Sequence, residues 1–387
     1  MRNEIAVVTH TDTDGVTAAA QIRSVFPHAR VAFPEWVEYG VSRKILESLA
    51  PADRLFVLDM GLDPKSVRTI CDLRDRFGEI TVIDHHPHDP ADRERLDAAG
   101  VEVIYDPDYC ASALTFLYLE RAGLVQDSSF AAKWAVIGTY SDVFDTREKS
   151  AALLSRLIGR HPELSLELVT WDPSTRSERG IPAPAMFGAY INAGRYLHYH
   201  HGARVALEAA AEMERHGDVF LLREDFSKNH LEARYPHCHL LQRWHERWLS
   251  ERNRVFERGN ITYLKIRVGP YTFGLAFVNH EWDIGGYVAA KKANDSPQPQ
   301  YAFAVNYGVP GPRAKISARA PRDAAQRRFV PELNLGDVMR TLSTVDPSFV
   351  GGGHEAAGSA TFPKEVSEAK VTRLLKAALA RSLSGKI

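Results

Sequence analysis

An apolar run that ends in a carboxylate and two imidazoles is the chemically most informative feature of this sequence. Residues 81–89 read TVIDHHPHD, so Asp84, His85 and His86 follow one another at the end of a strand-like run. A buried strand does not tolerate three such side chains unless they have partners. Carboxylates and imidazoles bind divalent cations and also act as general acids and bases. The triplet is therefore interpreted as one part of a shared site.

Two further strand-like runs end in the same kinds of side chain. His10, Asp12 and Asp14 lie at the end of IAVVTH and just after it, and Asp59 lies near the end of RLFVLDM. Ligands bind beyond the carboxyl ends of strands in open α/β sheets, so these ends would meet at one edge. Each residue alone could be a helix cap or a structural histidine. That explanation fails for three strand ends together.

The donor set predicts hard divalent cations. It contains carboxylates and imidazoles without thiolates, which suits Mn²⁺, Mg²⁺, Fe²⁺ or Zn²⁺, and its oxygen-rich character favours Mn²⁺ and Mg²⁺. Several carboxylates packed together repel one another unless cations neutralise them. The donors suffice for two ions, which a bridging carboxylate would hold about 3.5–4 Å apart.

The order of apolar runs predicts an α/β fold with two lobes. Strand-like runs at 5–10, 54–60, 79–86 and 101–105 alternate with helix-like stretches at 15–26, 63–77, 111–123 and 131–142. Continuous apolar strands separated by helices predict a parallel sheet covered on both faces. The Pro, Ser and Gly content of 171–188 predicts a loop. The predicted domains are a parallel-sheet domain at 1–195, a helical linker at 196–259 and a smaller α/β domain at 260–387.

Composition limits the function classes. The formal net charge of −1 over 387 residues implies no whole-molecule electrostatic attraction to duplex nucleic acid. The three cysteines (Cys71, Cys110 and Cys238) have no metal-ligand spacing, and an odd count argues against a disulfide framework. The apolar core of the N-terminus is too short for a signal peptide, and no apolar run reaches the roughly 20 residues that span a bilayer. A cytoplasmic location without membrane contact is expected.

Four ordered segments resemble the motifs of the DHH phosphoesterase superfamily. They are HTDTDG, LDMG, DHHPHD and SDVFD, and they lie within residues 4–146. The segment GGGHEAAG at 351–358 resembles the signature of the DHH-associated substrate-binding domain of RecJ exonucleases and nanoRNases. The superfamily also contains cyclic dinucleotide phosphodiesterases and family II inorganic pyrophosphatases, but the pyrophosphatases carry a different C-terminal domain.

The resemblance implies a centre for two metal ions. The implied ligands are His10, Asp12, Asp14, Asp59, His85 and Asp142. Asp59 would bridge the ions, so Asp59→Ala is expected to abolish turnover and to leave folding largely intact. His86 would orient or protonate near the scissile phosphate, and Asp84 would hold an imidazole in the right tautomer. The first motif is spaced His-x-Asp-x-Asp, nearer to RecJ than to the longer His-x-x-x-Asp-x-Asp form.

The resemblance also implies a phosphate-binding region in the C-terminal domain. Its residues are Ser317, Arg319, Gly351, Gly352, Gly353 and His354. Ser317 and Arg319 share one face of a strand, and the family places an arginine there facing the nucleotide phosphate. The glycine run would let backbone N–H groups approach a phosphate. A helix-like pattern is predicted after His354.

The expected function is a two-metal phosphodiesterase with Mn²⁺, or alternatively Mg²⁺, that cleaves short single-stranded oligonucleotides to mononucleotides, as nanoRNases do. Net charge near zero favours short substrates, because long-strand binders present a basic channel. Alternatives are a cyclic-dinucleotide or 3′-phosphoadenosine 5′-phosphate hydrolase and a RecJ-like exonuclease on single-stranded DNA. A non-enzymatic scaffold is disfavoured because every expected ligand is present, and a pyrophosphatase is disfavoured by the C-terminal signature. A homodimer is left open.

Overall fold

The chain forms two compact units. The computed structural model describes residues 4–34, 40–142, 144–172, 177–216, 231–257, 261–294, 300–321 and 333–384. The N-terminal unit is Met1–Trp248 and the C-terminal unit is Leu249–Ile387. The assignment of a catalytic domain, a linker and a substrate-binding domain, with boundaries at 195 and 259, stays a prediction.

A five-stranded parallel sheet is the centre of the N-terminal unit. Its strands are β1 (Ile5–Thr9), β2 (Arg30–Ala32), β3 (Ala52–Leu58), β4 (Phe77–Asp84) and β5 (Glu102–Tyr105). Their spatial order is β2-β1-β3-β4-β5, and every neighbouring pair is parallel. The carboxyl ends of the strands therefore share one edge, and the predicted parallel α/β fold is confirmed.

Helices on both faces of this sheet explain why its strands read as continuous apolar runs. They are α1 (Thr13–Val25), α2 (Arg43–Ser48), α3 (Pro64–Asp72), α4 (Pro90–Ala98), α5 (Ala111–Arg121), α6 (Phe130–Ser141) and α7 (Glu148–Arg160). Val7 and Phe56 belong to the core on the α1, α5 and α6 face. Val8 and Val57 belong to the core on the α2, α3 and α4 face. Burial on both faces leaves little room for alternating polar residues.

A β-hairpin occupies part of the segment that sequence predicted as a loop. β6 (Glu167–Asp172) and β7 (Ser177–Pro182) pair antiparallel, and α8 (Ala183–His216) follows at once. Of the predicted loop at 171–188, residues 171–172 and 177–182 are strand, residues 183–188 are helix, and residues 173–176 lie outside the described residues. The prediction was wrong for the described part because strand pairing, which composition does not encode, satisfies the backbone there. α8 bends sharply at Tyr199, where φ is 49° and ψ is −123°. α9 (Pro236–Glu257) contains the boundary between the units.

A six-stranded mixed sheet is the centre of the C-terminal unit. Its strands are β8 (Ile261–Val268), β9 (Tyr271–Val278), β10 (Ala302–Asn306), β11 (Arg313–Arg319), β12 (Val350–Gly353) and β13 (Ala357–Pro363). The spatial order is β12-β13-β11-β10-β9-β8. The helices are α10 (Gly285–Asn294), α11 (Leu335–Val345) and α12 (Glu368–Leu383).

Strand β13 corrects the helix-like pattern predicted after His354. Gly358, Ala360 and Phe362 alternate with more exposed residues and are buried on the face that packs against α11. Small alanine-rich residues suggested a helix, but the alternation has a period of two and fits a strand. Within the described residues, no helix is both long and apolar enough to cross a membrane.

Tight packing between α1, α5 and α6 yields a test of the fold. A Cβ added at Gly138 in α6 would lie 2.4 Å from Ser112 Cβ and 2.7 Å from Thr17 Oγ1. Gly138→Ala should therefore lower the free energy of unfolding by about 1–3 kcal/mol through overpacking. Gly159→Ala in α7 is the matched control, because a Cβ there meets nothing within 4 Å. Equal urea midpoints for the two variants would contradict this packing.

Candidate metal centre

The first motif forms a tight turn that sets His10 beside Asp12. Asp12 caps α1, with Oδ1 accepting the Gly15 N–H at 3.2 Å, while Oδ2 lies 2.7 Å from His10 Nδ1. A Cβ at Gly15 would lie 2.5 Å from the His10 carbonyl oxygen, so this turn requires glycine. Burial disfavours both charges, but their attraction prevails and raises the pKa of His10 to about 9. The same contact holds the pKa of Asp12 well below its usual range.

Asp14 is held by the N-terminus of α5. Its two carboxylate oxygens accept the N–H groups of Ala111 at 2.7 Å and Ser112 at 2.8 Å. The Ser112 hydroxyl in turn accepts hydrogen bonds from Thr17 and Gln21. A helix N-terminus carries partial positive charge, so this contact stabilises the ionised carboxylate. The buried polar contacts between α1 and α5 therefore fix the position of Asp14.

Asp59 lies between two histidines at the end of β3. Its N–H donates to the Ile83 carbonyl oxygen at 3.0 Å, which ties it to β4. Its Oδ2 is 3.6 Å from His10 Nδ1, and its Oδ1 is 3.3 Å from His85 Nε2. The backbone φ of 55° is unfavourable for most residues other than glycine. The two oxygens thus face two different groups of donors, as a bridging carboxylate requires.

His85 connects β4 to two further carboxylates. Its Nε2 lies 3.6 Å from Asp14 Oδ2 and 3.6 Å from Asp142 Oδ2. Asp142 is the C-cap of α6, so a helix supplies this carboxylate from outside the sheet. Burial alone would lower the pKa of His85, but the contact with Asp59 and the other carboxylates outweighs burial and raises the pKa of His85.

Asp84 fixes the ring of His86. Its Oδ1 accepts the backbone N–H groups of His85 at 2.8 Å and His86 at 3.3 Å, and lies 2.7 Å from His86 Nδ1. Burial opposes ionisation of Asp84, but His86 prevails and lowers its pKa. The ionised carboxylate therefore accepts a hydrogen bond from Nδ1–H, which leaves Nε2 as the His86 atom for proton exchange.

The donors fit cations. Those that lie within 4.8 Å of one another form the groups His10/Asp12/Asp59, Asp14/His85/Asp142 and Asp59/Asp84/His85/His86. The buried Oδ2 atoms of Asp59 and Asp142 have no hydrogen-bond partner among the described residues. Burial and then the charges of Asp59 and Asp142 raise the pKa of Asp14 well above its usual range. Burial likewise raises the pKa of Asp142 to about 7, with His85 opposing and Asp59 adding to the increase. Divalent cations would relieve this repulsion.

The predicted site residues fall into two sets. The N-terminal unit brings together His10, Asp12, Asp14, Asp59, Asp84, His85, His86 and Asp142. In the C-terminal unit, β11 contains Ser317 and Arg319, β12 contains Gly351, Gly352 and Gly353, and His354 follows β12. The ligand, catalytic and substrate-binding roles of both sets stay predictions.

The glycine run has packing reasons of its own. A Cβ at Gly351 would lie 2.5 Å from Ala360 Cβ, and Gly353 has a φ of 133°. The fold of β12 against β13 therefore requires both glycines whatever they bind. Gly352 pairs with Ser359, which pairs in turn with Ser317 on β11.

Two residues of α8 near the centre were missed by the sequence reasoning. The Thr13 N–H donates to Asn192 Oδ1 at 3.3 Å, directly beside the first motif. Arg195 lies near enough for its charge to lower the pKa of Asp12, after the larger effects of burial and His10. Asn192 and Arg195 are three positions apart and share one helix face. That polar pair among the small residues of INAGR is the signal that could have revealed them.

Comparisons with known proteins agree with this fold. Residues 4–139 match the DHH family, N-terminal domain. No curated protein matches the chain. RecJ in complex with Mn²⁺ from Thermus thermophilus is similar over 98% of this chain and 52% of its own, with 18% identity and a TM-score of 0.59. This chain therefore spans about half the length of that RecJ.

Two other solved structures share the fold. An exonuclease RecJ bound to manganese is similar over 99% of this chain and 90% of its own, with 17% identity and a TM-score of 0.55. The DHH domain of a member of the s1p family of ribosomal proteins is similar over 98% of this chain and 87% of its own, with 14% identity and a TM-score of 0.61. At these identities the likeness shows the fold.

Metal binding should depend on Asp59 without loss of the fold. Mn²⁺ should raise the melting temperature of the wild-type protein by several degrees, because it binds the folded state only. Asp59→Asn should lose most of this shift. Asparagine is a better replacement than alanine here, because it tolerates the positive φ. Asp72→Asn is the control, since Asp72 is an exposed carboxylate on α3 paired with Arg43. An undiminished Mn²⁺ shift in Asp59→Asn would refute the assignment.

The metal-stripped protein should lose stability as pH rises. The pKa of Asp142 is about 7 in the folded state, above the roughly 3.9 of an unfolded aspartate, so the folded state binds more protons between these values. Stability from this group is complete near pH 4 and is lost as pH rises through about 7. Melting in chelator at pH 5, 6, 7 and 8 should show the decline. Asp142→Asn should reduce the slope, most clearly between pH 5 and 6, because the raised pKa of His10 keeps part of the decline above about pH 6.5. An unchanged slope would contradict the argument.

Proposed function

We propose that this chain, whose residues 4–139 match the DHH family, N-terminal domain, is a two-metal phosphodiesterase that hydrolyses short single-stranded oligonucleotides to mononucleotides. The observation that carries the proposal is the position of Asp59, whose two oxygens face His10 and His85 separately. A carboxylate placed in this way can hold two cations close enough to share one phosphate.

The proposed ions are two divalent cations, with Mn²⁺ favoured and Mg²⁺ as the alternative. Asp59 would bridge them, His10 and Asp12 would hold one, and Asp14, His85 and Asp142 would hold the other. The RecJ structures named above were solved with manganese, which supports this choice. When bound, such ions supply Lewis acidity and a hydroxide nucleophile at neutral pH.

The other residues around this centre would transfer a proton and orient the substrate. His86 would exchange a proton at Nε2 near the scissile phosphate, while Asp84 keeps the ring oriented through Nδ1. Arg195 would face the substrate as a cation near Asp12. A guanidinium there would neutralise part of the phosphodiester charge and orient it for attack. No nucleophilic side chain is needed, because bound ions would supply the nucleophile. The buried Cys110 is unsuited to that role, because burial and the charge of Asp14 raise the pKa of its thiol.

A phosphate-binding surface is proposed in the C-terminal unit around β11. A Cβ at Gly286 would lie 2.8 Å from Arg319 Nη2, and one at Gly285 would lie 3.2 Å from Ser317 Oγ. The first turn of α10 therefore carries no side chain where it faces the Arg319 guanidinium and the Ser317 hydroxyl. Helix N–H groups, a hydroxyl and a guanidinium are the donors that bind phosphate. Ser317 and Arg319, with His354 after β12, are the residues proposed to contact the nucleotide.

Cleavage of RNA of different lengths tests the proposal. The substrates are 5′-labelled RNAs of about two, five and twenty-four nucleotides, assayed with Mn²⁺. The dinucleotide should be cleaved fastest, because a protein with net charge near zero is not expected to present a basic channel for long strands. Asp59→Asn should be inactive on all three. Cyclic di-AMP and 3′-phosphoadenosine 5′-phosphate are assayed in parallel. Faster turnover of either compound would identify it, and not the oligonucleotides, as the preferred substrate. Processive loss of the longest RNA, or of single-stranded DNA, would instead favour a RecJ-like exonuclease.

A further inference from the structure

Tyr105 is an exposed aromatic side chain beside the metal centre. It is the last residue of β5 and pairs in register with Asp84, the last residue of β4. Directly paired residues of neighbouring strands project from the same face of a sheet, so Tyr105 lies on the same side as the Asp84 carboxylate. Its exposed fraction is 36%, whereas the apolar residues of β4 are buried. An exposed aromatic ring is the kind of surface on which nucleobases stack in single-stranded nucleic acid binders.

His88 holds Tyr105 in place without covering it. The two rings are 4.5 Å apart at an interplanar angle of 80°, which is an edge-to-face contact. His88 Nδ1 lies 3.3 Å from the carbonyl oxygen of His86. The loop that presents His86 therefore also braces the tyrosine. An edge-to-face neighbour covers at most one face of a ring, so His88 leaves a face of Tyr105 uncovered.

The charges around Tyr105 suit a nucleotide. Asp106 and Asp108 would repel a phosphate, but Lys149 Nζ binds both, at 2.8 and 3.0 Å. The Arg147 guanidinium donates to the carbonyl oxygen of Pro107, two residues beyond the tyrosine. Lys149 and Arg147 together carry two positive charges that balance the two carboxylates. Single-stranded nucleic acid binders combine aromatic faces with cationic side chains in this way.

We propose that Tyr105, braced by His88, is the surface on which a nucleobase next to the scissile phosphate stacks. The inference rests on the proposed function and makes it more specific, because it assigns base-dependent binding to a side chain that holds no ion. Stacking on tyrosine tolerates every base, so Tyr105 provides affinity for a nucleotide unit without sequence selectivity. A substrate without a base at that position loses this contact.

Removal of the ring should weaken binding and spare the chemistry. Tyr105→Ala should raise the KM for a dinucleotide about 5- to 100-fold, the range expected for one stacked base, with kcat little changed. Tyr105→Phe keeps the ring, so its KM for the dinucleotide should stay within about twofold of the wild-type KM. Leu124→Ala is the matched control, because Leu124 is 45% exposed in the same unit. It follows the far end of α5, about 16 Å along the helix from Ala111.

Abasic substrates make the test specific. A dinucleotide with a tetrahydrofuran unit in place of one nucleoside should show a raised KM with wild-type protein at one of the two positions. Tyr105→Ala should show no further loss at that position, because the contact is already absent. Equal abasic penalties in wild type and Tyr105→Ala at both positions would overturn the inference, as would an unchanged KM in Tyr105→Ala.

Equilibrium binding separates this inference from the proposed function. Calorimetric titration of the same dinucleotide, with Ca²⁺ in place of Mn²⁺, measures affinity without relying on turnover. If the wild-type protein cleaves no oligonucleotide, the proposed function fails. A weaker affinity in Tyr105→Ala but not in Tyr105→Phe or Leu124→Ala would still support stacking. Equal affinity in all four proteins would overturn it.

Discussion

Repulsion between carboxylates that the fold forces together is the constraint on which the rest of this structure depends. Parallel pairing brings the ends of β1, β3 and β4 to one edge, and α6 adds Asp142 from outside the sheet. The fold offers partial compensation through the N–H groups of α5 and two imidazoles. The remaining excess of negative charge would favour cations at this edge, and bound cations would in turn favour phosphate.

Much of this arrangement follows from local sequence pattern. Continuous apolar runs predict parallel strands, and parallel strands dictate that residues after their ends share an edge. His10, Asp59 and His85 could therefore be placed together without coordinates. Asp142 could not, because it caps a helix. Only the resemblance of SDVFD to a family motif singled it out.

Other features depend on contacts that local pattern does not encode. The β6–β7 hairpin lies in a segment whose composition also suits a loop, and pairing between its strands decides the outcome. The first half of β13, Ala357–Ala360, consists of small residues without strand propensity, and burial against α11 helps to make it a strand. Arg195 approaches the centre because α8 packs against α1; the polar pair in INAGR marks an unusual helix face but does not say which helix that face packs against. Tyr105 is likewise placed beside the centre by strand pairing, through its register with Asp84, and not by its neighbours in sequence.

At Asp59, the stability of the fold and the proposed metal binding favour different residues. A non-glycine residue in the left-handed region costs roughly 1 kcal/mol or more, and a buried carboxylate among others adds to that cost. Glycine at this position would relieve both and leave the sheet intact. Selection for thermal tolerance alone would therefore favour glycine, and only selection for the proposed metal binding would preserve the aspartate. A loss of the proposed metal centre by this route would leave no trace in the fold.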